Sequence, residues 1–174
     1  LDLKGLLPEE EIQSLIERIV SRGGMVKNLH GQKNLYYQVN ATYYSALGAS
    51  DEKMLLARAI QMFMPGKPQV WYLDLFAGKN DHEAVQRAGE SGHKEINRTN
   101  LSTDQITEGL KKDVVQKQLA LIRMRNTHKA FSEGAEVAIS GGERSLEIRW
   151  KYNSAFATLY VNFESGTYTI VESR

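Results

Sequence analysis

The sequence contains no cysteine, which excludes a disulfide framework and a thiolate metal site. It has no apolar run near the roughly 20 residues that a membrane-spanning helix needs, and its N-terminus carries no signal-peptide pattern. An excess of charge of one sign is missing too, since 22 basic residues stand against 21 acidic ones. This balance provides no electrostatic footprint for nucleic acid or an anionic membrane. We therefore expect a cytoplasmic protein that binds neither.

An initiator methionine is also missing, and the first five residues look like sequence from the middle of a protein. Both observations favour a fragment of a longer protein. A chain of 174 residues is usually one domain, or one and a fraction.

Three segments carry the pattern of long helices. Pro8 and the glutamates after it begin the first, because the proline ring presets φ and the acids complement the helix dipole. Ser50 is a suitable N-cap for the second. The apolar spacing and the stop signals predict helices over residues 8–22, 50–64 and 113–131.

Residues 69–76 are almost continuously apolar and follow a proline, which predicts a strand buried on both faces of a parallel sheet. A helix, a Pro-Gly turn and such a strand make an αβ unit, the repeat of a (β/α)8 barrel. Residues 77–112 then form a long polar connection, with one short helix begun by a capping box at residues 102–105. Long connections on a barrel often carry binding groups.

Beyond Gly134 the apolar period changes to two, which predicts a small antiparallel sheet. A domain boundary belongs near this change of period, giving residues 1–132 and 133–174. The expected strands are residues 136–140, 145–152, 156–163 and 167–171.

Three stretches occur in one order and together point to one enzyme family. They are YQVNATYYSALG at residues 37–48, MPGKPQVWY at residues 64–72 running into AGKND at residues 77–81, and EINR at residues 95–98. The set resembles the C-terminal part of sucrose phosphorylases of the α-amylase superfamily, glycoside hydrolase family 13. The resemblance runs from about Leu1 to Phe131. It implies the C-terminal portion of a (β/α)8 barrel, so that with the alternating pattern beyond Gly134 the expected fold class is α/β, this portion of a barrel followed by a small antiparallel β-sheet domain.

The resemblance also implies an activity. Members of the family move glucose from sucrose to phosphate with retention, giving α-glucose 1-phosphate and fructose, and they use two Asp and one Glu on earlier strands. Those carboxylates would lie upstream of Leu1, so this chain alone is expected to be inactive. The expected partners are the sugar substrate and inorganic phosphate, without a metal or organic cofactor. Whether the protein forms a homodimer is left open.

The resemblance assigns four substrate-binding residues. Arg98 resembles the arginine that holds the far hydroxyls of the glucose unit, and Asn97 beside it belongs to the same site. Tyr37 and Gln38 match a mobile loop on the acceptor side, where a phenol and a carboxamide can meet a fructose hydroxyl or a phosphate oxygen. Structural alternatives remain: Arg98 can pair with an acid such as Glu95, and the tyrosine segment can be a half-buried strand.

Other polar residues are interpreted as structural. Asp74 interrupts an apolar run and therefore needs a partner. The Lys79-Asn80-Asp81 stretch has the composition of a turn. The four histidines are scattered, without spacing for zinc or a nucleophilic triad.

Two further functions are kept open. Within the family, the rivals act on sucrose 6'-phosphate or on glucosylglycerate, and a phosphorylated acceptor would call for a basic residue near Tyr37, such as Lys27 or Lys33. The other is a non-catalytic α+β module that binds a carbohydrate or a protein.

Overall fold

The computed structural model describes residues 3, 5–28 and 36–173, which form short and long helices and two separate antiparallel sheets. In chain order the elements are α1 (Glu9–Ser21), β1 (Met25–Asn28), β2 (Tyr36–Asn40), α2 (Tyr43–Ala46), α3 (Asp51–Phe63), α4 (Tyr72–Leu75), α5 (His82–Ala88), a 3₁₀ helix (Gly89–Asn97), α6 (Thr103–Gly109), α7 (Asp113–Thr127), a 3₁₀ turn (Lys129–Phe131), β3 (Glu136–Gly142), β4 (Ser145–Tyr152), β5 (Ala155–Asn162) and β6 (Thr167–Glu172).

These elements belong to two compact units. Unit 1 is Leu1–Ser50 with Trp71–Glu108, as far as those ranges are described, and unit 2 is Asp51–Val70 with Gly109–Arg174. Across the described residues, no helix combines the length and the apolar character that a bilayer crossing requires.

The first helix is confirmed. Pro8 lies directly before α1, three glutamates form its first turn, and Ile12 and Ile16 are its buried residues. The helix ends where the Gly24 amide donates to the Ile19 carbonyl at 2.9 Å. A β-carbon on Gly24 would lie 2.6 Å from the Ile19 side chain, so glycine is required at this stop.

In unit 1, β1 and β2 form an antiparallel hairpin that places Lys27 opposite Gln38 and Met25 opposite Asn40. The strand alternative for the tyrosine segment is therefore confirmed for its backbone. Lys27 lies within β1, whereas His30 and Lys33 lie outside the described residues.

The strand predicted over residues 69–76 is wrong. Its second half is the single helical turn α4, closed by hydrogen bonds from the Gly78 amide to the Leu73 carbonyl at 2.9 Å and from the Ala77 amide to the Asp74 carbonyl at 3.1 Å. Leu73 is buried, whereas Trp71 is 48% exposed. The backbone of this segment is thus hydrogen-bonded within a local turn, and one side of the segment is buried. A continuous apolar run in a sequence does not distinguish such a turn from a buried strand.

The long connection over residues 77–112 holds more regular structure than predicted, because α5 and the 3₁₀ helix occupy its first half. The capping box before α6 is confirmed in both directions. The Ser102 amide donates to Gln105 Oε1 at 2.8 Å, and the Gln105 amide donates to Ser102 Oγ at 3.2 Å.

Unit 2 contains the predicted four-stranded antiparallel sheet, in the order β3-β4-β5-β6. Its inner face packs on α3 and α7, and the indole nitrogen of Trp150 donates to the Phe63 carbonyl at 2.6 Å. The first strand is longer than the predicted residues 136–140, since Gly141 and Gly142 still belong to β3. The fully buried apolar residues of this core include Ala59, Phe63, Ile148, Ala157 and Leu159.

The change from helices to strands falls where the sequence predicted it, between the turn ending at Phe131 and the strand beginning at Glu136. The compact units are divided differently, because α3 and α7 belong with the sheet. The division into residues 1–132 and 133–174 stays a prediction for the whole protein.

A buried guanidinium joins α3 to α7 inside unit 2. Arg58 is 2% exposed, and its Nε donates to Oε1 of the fully buried Gln118 at 2.9 Å. Arg58 also contacts Gln61 one turn along α3. A buried guanidinium is tolerated only when hydrogen-bond acceptors satisfy its N–H donors.

We expect Gln118→Leu to lower the free energy of unfolding by about 2 kcal/mol, because it removes an acceptor from a buried cation. The double variant Arg58→Met with Gln118→Leu should lose less than the sum of the two single changes. Urea unfolding of the chain, followed by circular dichroism, measures these differences. Gln86→Leu, at an exposed position of α5, is the matched control; an equal loss in this control would contradict the pairing.

Candidate functional site

Three of the four predicted site residues line one pocket in unit 1. Its volume is about 240 Å³. The lining residues are Gln38, Asn40, Trp71, Lys94, Asn97 and Arg98. They come from β2, from the segment before α4 and from the end of the 3₁₀ helix. The structure therefore brings together segments that are far apart in sequence.

Asn97 builds a wall of this pocket. Its side-chain amide donates to the Ala41 carbonyl at 3.3 Å, just after β2. Its own carbonyl accepts the indole N–H of Trp71 at 2.9 Å. Asn97 thus ties the end of β2 and the start of α4 to the 3₁₀ helix, and its role toward a substrate stays a prediction.

A set of side chains, which we call the cap network, fixes the start of α2; it comprises Thr42, Ser45, Asp74 and Asn80. The Thr42 amide donates to Asn80 Oδ1 and the Tyr43 amide donates to Asp74 Oδ1, each at 2.7 Å. The Ser45 amide donates to Thr42 Oγ1 at 3.1 Å, and the Asn80 amide donates to Ser45 Oγ at 2.9 Å. Asp74 is therefore a structural acceptor, as interpreted from the sequence.

Asp81 connects the turn after α4 to the segment that carries Arg98. Its Oδ1 accepts the Ala84 amide at the start of α5, and its Oδ2 accepts the Thr99 hydroxyl, both at 2.8 Å. These donors, the Ala84 amide first, hold the pKa of Asp81 below its ordinary value. The carboxylate is thus occupied by structural hydrogen bonds, which agrees with the turn interpretation of this stretch.

Arg98 lies at the rim of the pocket. It pairs with Glu95, the structural alternative to sugar binding that the sequence suggested. Its Nη1 is 3.7 Å from Glu95 Oε1, and both side chains are about half exposed. An exposed pair at this distance contributes little stability, so the guanidinium can exchange Glu95 for another partner. Tyr37 belongs to β2 by its backbone, and its side chain lies outside the described part of the chain. Sugar binding by Arg98 and Tyr37 stays a prediction.

Two buried polar atoms at the pocket have no hydrogen-bond partner among the described residues. They are Gln38 Oε1 and Asn40 Nδ2. The two residues are separated by one position on β2, so their side chains leave the strand on the same side. Asn40, Lys94 and Trp71 were missed from the sequence, although the alternation of β2 starting at Gln38 could have indicated Asn40.

Positive charge gathers beside the pocket. Burial first, then the charges of Lys27, Lys94 and Arg98, lower the pKa of His93 below its ordinary value. The His93 ring is therefore kept neutral in a surrounding that already holds several cations. Within the described ranges, no cluster of acidic or histidine side chains could hold a metal ion.

A larger cavity of about 680 Å³ lies in unit 2, between α7 and the edge strand β6. Leu121, Met124 and Ile170 are among its lining residues, with Lys117 and Tyr168. None of the predicted site residues borders it. The pocket in unit 1 is thus the candidate site.

No family model matches the chain, but several curated phosphorylases are similar to it. It is 52% identical to a sucrose 6(F)-phosphate phosphorylase from Ilumatobacter coccineus, over 96% of this chain and 32% of that protein. It is 40% identical to a sucrose phosphorylase from Agrobacterium vitis, over 97% of this chain and 35% of that protein. The crystal structure of a sucrose 6F-phosphate phosphorylase from Thermoanaerobacter thermosaccharolyticum matches with a TM-score of 0.91 and 36% identity, over 99% of this chain and 36% of that one.

The chain is thus the C-terminal part of a sucrose phosphorylase-like protein. It spans about a third of the length of the curated relatives it matches. The likeness to the crystal structure also confirms the predicted fold class, helices followed by a small antiparallel sheet at the C-terminal end of such an enzyme.

We expect Asn80→Ala to lower the free energy of unfolding by about 1–2 kcal/mol, because the Thr42 amide at the start of α2 loses its acceptor. Thermal unfolding followed by circular dichroism measures the change. Asn100→Ala is the matched control, since Asn100 is exposed and its loss should cost less than about 0.5 kcal/mol. Equal stability of the two variants would show that the cap network carries no stability.

The stability of the folded chain should depend on pH through His93. Because the folded pKa of His93 is lowered, the unfolded chain takes up a proton first as pH falls below about 6.5, and stability declines in that window. His93→Gln should therefore reduce the loss of stability between about pH 7.5 and pH 5.5. Urea unfolding at both pH values measures it, with His82→Gln, an exposed histidine, as the control. An unchanged pH dependence in His93→Gln would contradict the placement of His93.

Proposed function

We propose that the full-length protein is a retaining glucoside phosphorylase that transfers glucose from a sucrose-type donor to phosphate. The observation that carries this proposal is the pocket in unit 1, which unites Gln38, Asn97 and Arg98 in a chain similar to sucrose phosphorylases. Carboxamides, an indole and a guanidinium are groups suited to the hydroxyls and the faces of sugars.

Each residue then has a defined task. Arg98 releases Glu95 and binds the hydroxyls of the glucose unit, which holds the ring in position for attack. Gln38 and Tyr37 meet the fructose unit and then the incoming phosphate. The nucleophilic carboxylate and the acid–base carboxyl group are supplied by the part of the protein upstream of this chain, in the (β/α)8 barrel that the family resemblance implies. The isolated chain is then inactive.

Sucrose 6'-phosphate is the second candidate donor. The relative at 52% identity is a sucrose 6(F)-phosphate phosphorylase, and the pocket is lined by Lys94 as well as Arg98. A phosphorylated fructose unit would place a dianion near these cations. The expected cytoplasmic location, the absence of a cofactor and a homodimer stay predictions.

The first test is phosphorolysis by the full-length protein. We expect α-glucose 1-phosphate to form from sucrose or from sucrose 6'-phosphate, with no turnover by the 174-residue chain alone. Arg98→Ala should lower kcat/KM about 100-fold or more, since positioning of the glucose ring is lost, and Arg98→Lys should recover part of it. The amount of glucose 1-phosphate formed per unit time measures both.

Arg144→Ala is the control for the loss of a guanidinium, because Arg144 is an exposed residue whose side chain pairs with Glu164 in unit 2. Its kcat/KM should match that of the wild type. Lack of turnover on sucrose, sucrose 6'-phosphate and glucosylglycerate would overturn the phosphorylase proposal. It would favour the hypothesis of a non-catalytic binding module.

A further inference from the structure

The strand β6 forms one edge of the sheet in unit 2, and among the described residues it pairs with β5 alone. The Ser173 amide, just after β6, donates to the Phe156 carbonyl of β5 at 2.9 Å. Positions that bond to the neighbouring strand alternate along an antiparallel pair with positions that do not. The backbone groups of Tyr168, Ile170 and Glu172 therefore point away from β5, toward the open edge.

This edge has little of the protection that sheet edges usually carry. The sequence of β6 is TYTIVE, without lysine or proline, and its only charged residue is the last one, Glu172. Its register with β5 is continuous from Thr167 to Glu172. Natural edges are commonly blunted by lysine, proline or a bulge, because an open row of amides and carbonyls can pair with another strand. The edge is thus suited to accept a further strand.

The apolar groove of about 680 Å³ runs beside this edge, between β6 and α7. Leu121, Met124 and Ile170 form the apolar part of its lining, and Tyr168 and Ile170 are only half-buried. Side chains that lie opposite each other on neighbouring strands leave the sheet on the same face. A strand added to β6 would therefore satisfy the free backbone groups and cover the groove with its inward side chains.

The groove carries opposite charges at its two ends. Lys117 lies at the Tyr168 end, where its charge opposes the rise that burial gives the pKa of the Tyr168 phenol. Glu172 lies at the other end, with its Oε2 3.8 Å from His128 Nε2. Lys117 Nζ is 2.7 Å from Asp113 Oδ2, but both side chains are more than half exposed. Such a surface pair contributes little stability, so Lys117 can take a second carboxylate.

The β6 strand of a second copy of this chain matches both the edge and the charges. A two-fold axis at Ile170 makes the two strands antiparallel and places Tyr168 opposite Glu172 of the partner subunit. The open backbone positions then face one another, and the inward side chains stay on one face. The same register brings the partner's Glu172 to the Lys117 end of the groove. This contact occurs twice, because a two-fold interface uses the same surface on both subunits.

We propose that the protein forms a symmetric homodimer through β6, in which two four-stranded sheets join edge to edge into one continuous sheet. The two grooves close on each other, and Lys117 of each subunit pairs with Glu172 of the other. The proposal does not depend on the proposed function, since the candidate site lies in unit 1 and this edge lies in unit 2.

The first test is the mass of the full-length protein in solution, measured by analytical ultracentrifugation over a range of concentrations. We expect a dimer. Glu172→Lys and Lys117→Glu should each raise the Kd of the dimer about tenfold or more, because each places like charges in contact. The double variant exchanges the two charges and should recover a large part of the affinity, which also shows that the variants fold.

Glu164→Lys is the matched control, because it reverses an exposed charge of the same unit that pairs with Arg144; its Kd should equal that of the wild type. A monomer at every concentration would overturn the proposal. A dimer that the two single variants leave unchanged, or that the double variant does not recover, uses another surface and overturns it as well.

A cysteine at the two-fold position tests the register. The 174-residue sequence has no cysteine, and opposite Cα atoms of a hydrogen-bonded pair lie about 5.5 Å apart, within the reach of a disulfide. Ile170→Cys in the full-length protein should give a covalent dimer on a non-reducing gel after mild oxidation. Ile139→Cys, 49% exposed on the opposite edge strand β3, is the control. Equal cross-linking of the two variants would contradict the register.

Hydrogen exchange separates a second copy from other occupants of the edge. The amides of Tyr168, Ile170 and Glu172 should exchange more slowly as the protein concentration rises through the Kd of the dimer. Slow exchange that does not depend on concentration would mean that another segment of the same protein covers β6. Fast exchange at every concentration would mean that the edge is open. Either result overturns the homodimer through β6.

Discussion

The geometry of the candidate site depends on how the first amides of α2 are satisfied. A helix of four residues cannot hold itself together in water, because a single turn returns too few hydrogen bonds for the residues it fixes. Asn80 and Asp74 accept the amides of Thr42 and Tyr43 and thereby join the segment after β2 to the segment around α4. With Asn97 bound to Ala41, these contacts set where β2 presents Gln38 and Asn40.

The electrostatics of the pocket depend on another set of hydrogen bonds, those of Asp81. Asp81 lies in the connection between Trp71 and Lys94, two residues that line the pocket, but its two oxygens are engaged by Ala84 and Thr99. It therefore serves as a cap and not as a counterion. Glu95 is left as the carboxylate beside Arg98, which explains how the pocket keeps a positive character in a chain of nearly neutral net charge.

Features set by local pattern were predictable from the sequence. The long helices, the capping box at Ser102 and the strands of unit 2 all follow from spacing and capping chemistry, and the structure contains them. The structure of the segment around Tyr72 was not predictable, because a buried strand and a buried turn can have the same continuous apolar sequence. The helix α5 was missed since it lacks a buried apolar face.

The site was predictable in part. Arg98, Asn97 and Gln38 were indicated by family resemblance, and the structure gathers them around one pocket. Asn40 was indicated only by its alternation with Gln38 on β2, and Lys94 carries no local signal of its own. Their position is defined by tertiary hydrogen bonds of other residues, which no sequence window contains.

Unit 2 is assembled from two stretches of chain, with α3 contributed by the earlier one and the sheet by the later one. During synthesis α3 emerges first, and its apolar face must wait for β4 and β5 while the whole of Trp71–Glu108 is still being made. Phe63 and Met62, both buried in the finished fold, therefore lack their partners in the sheet until β4 and β5 have been synthesised. Truncation inside the sheet would leave the apolar face of α3 uncovered, and an exposed apolar face of this kind favours aggregation.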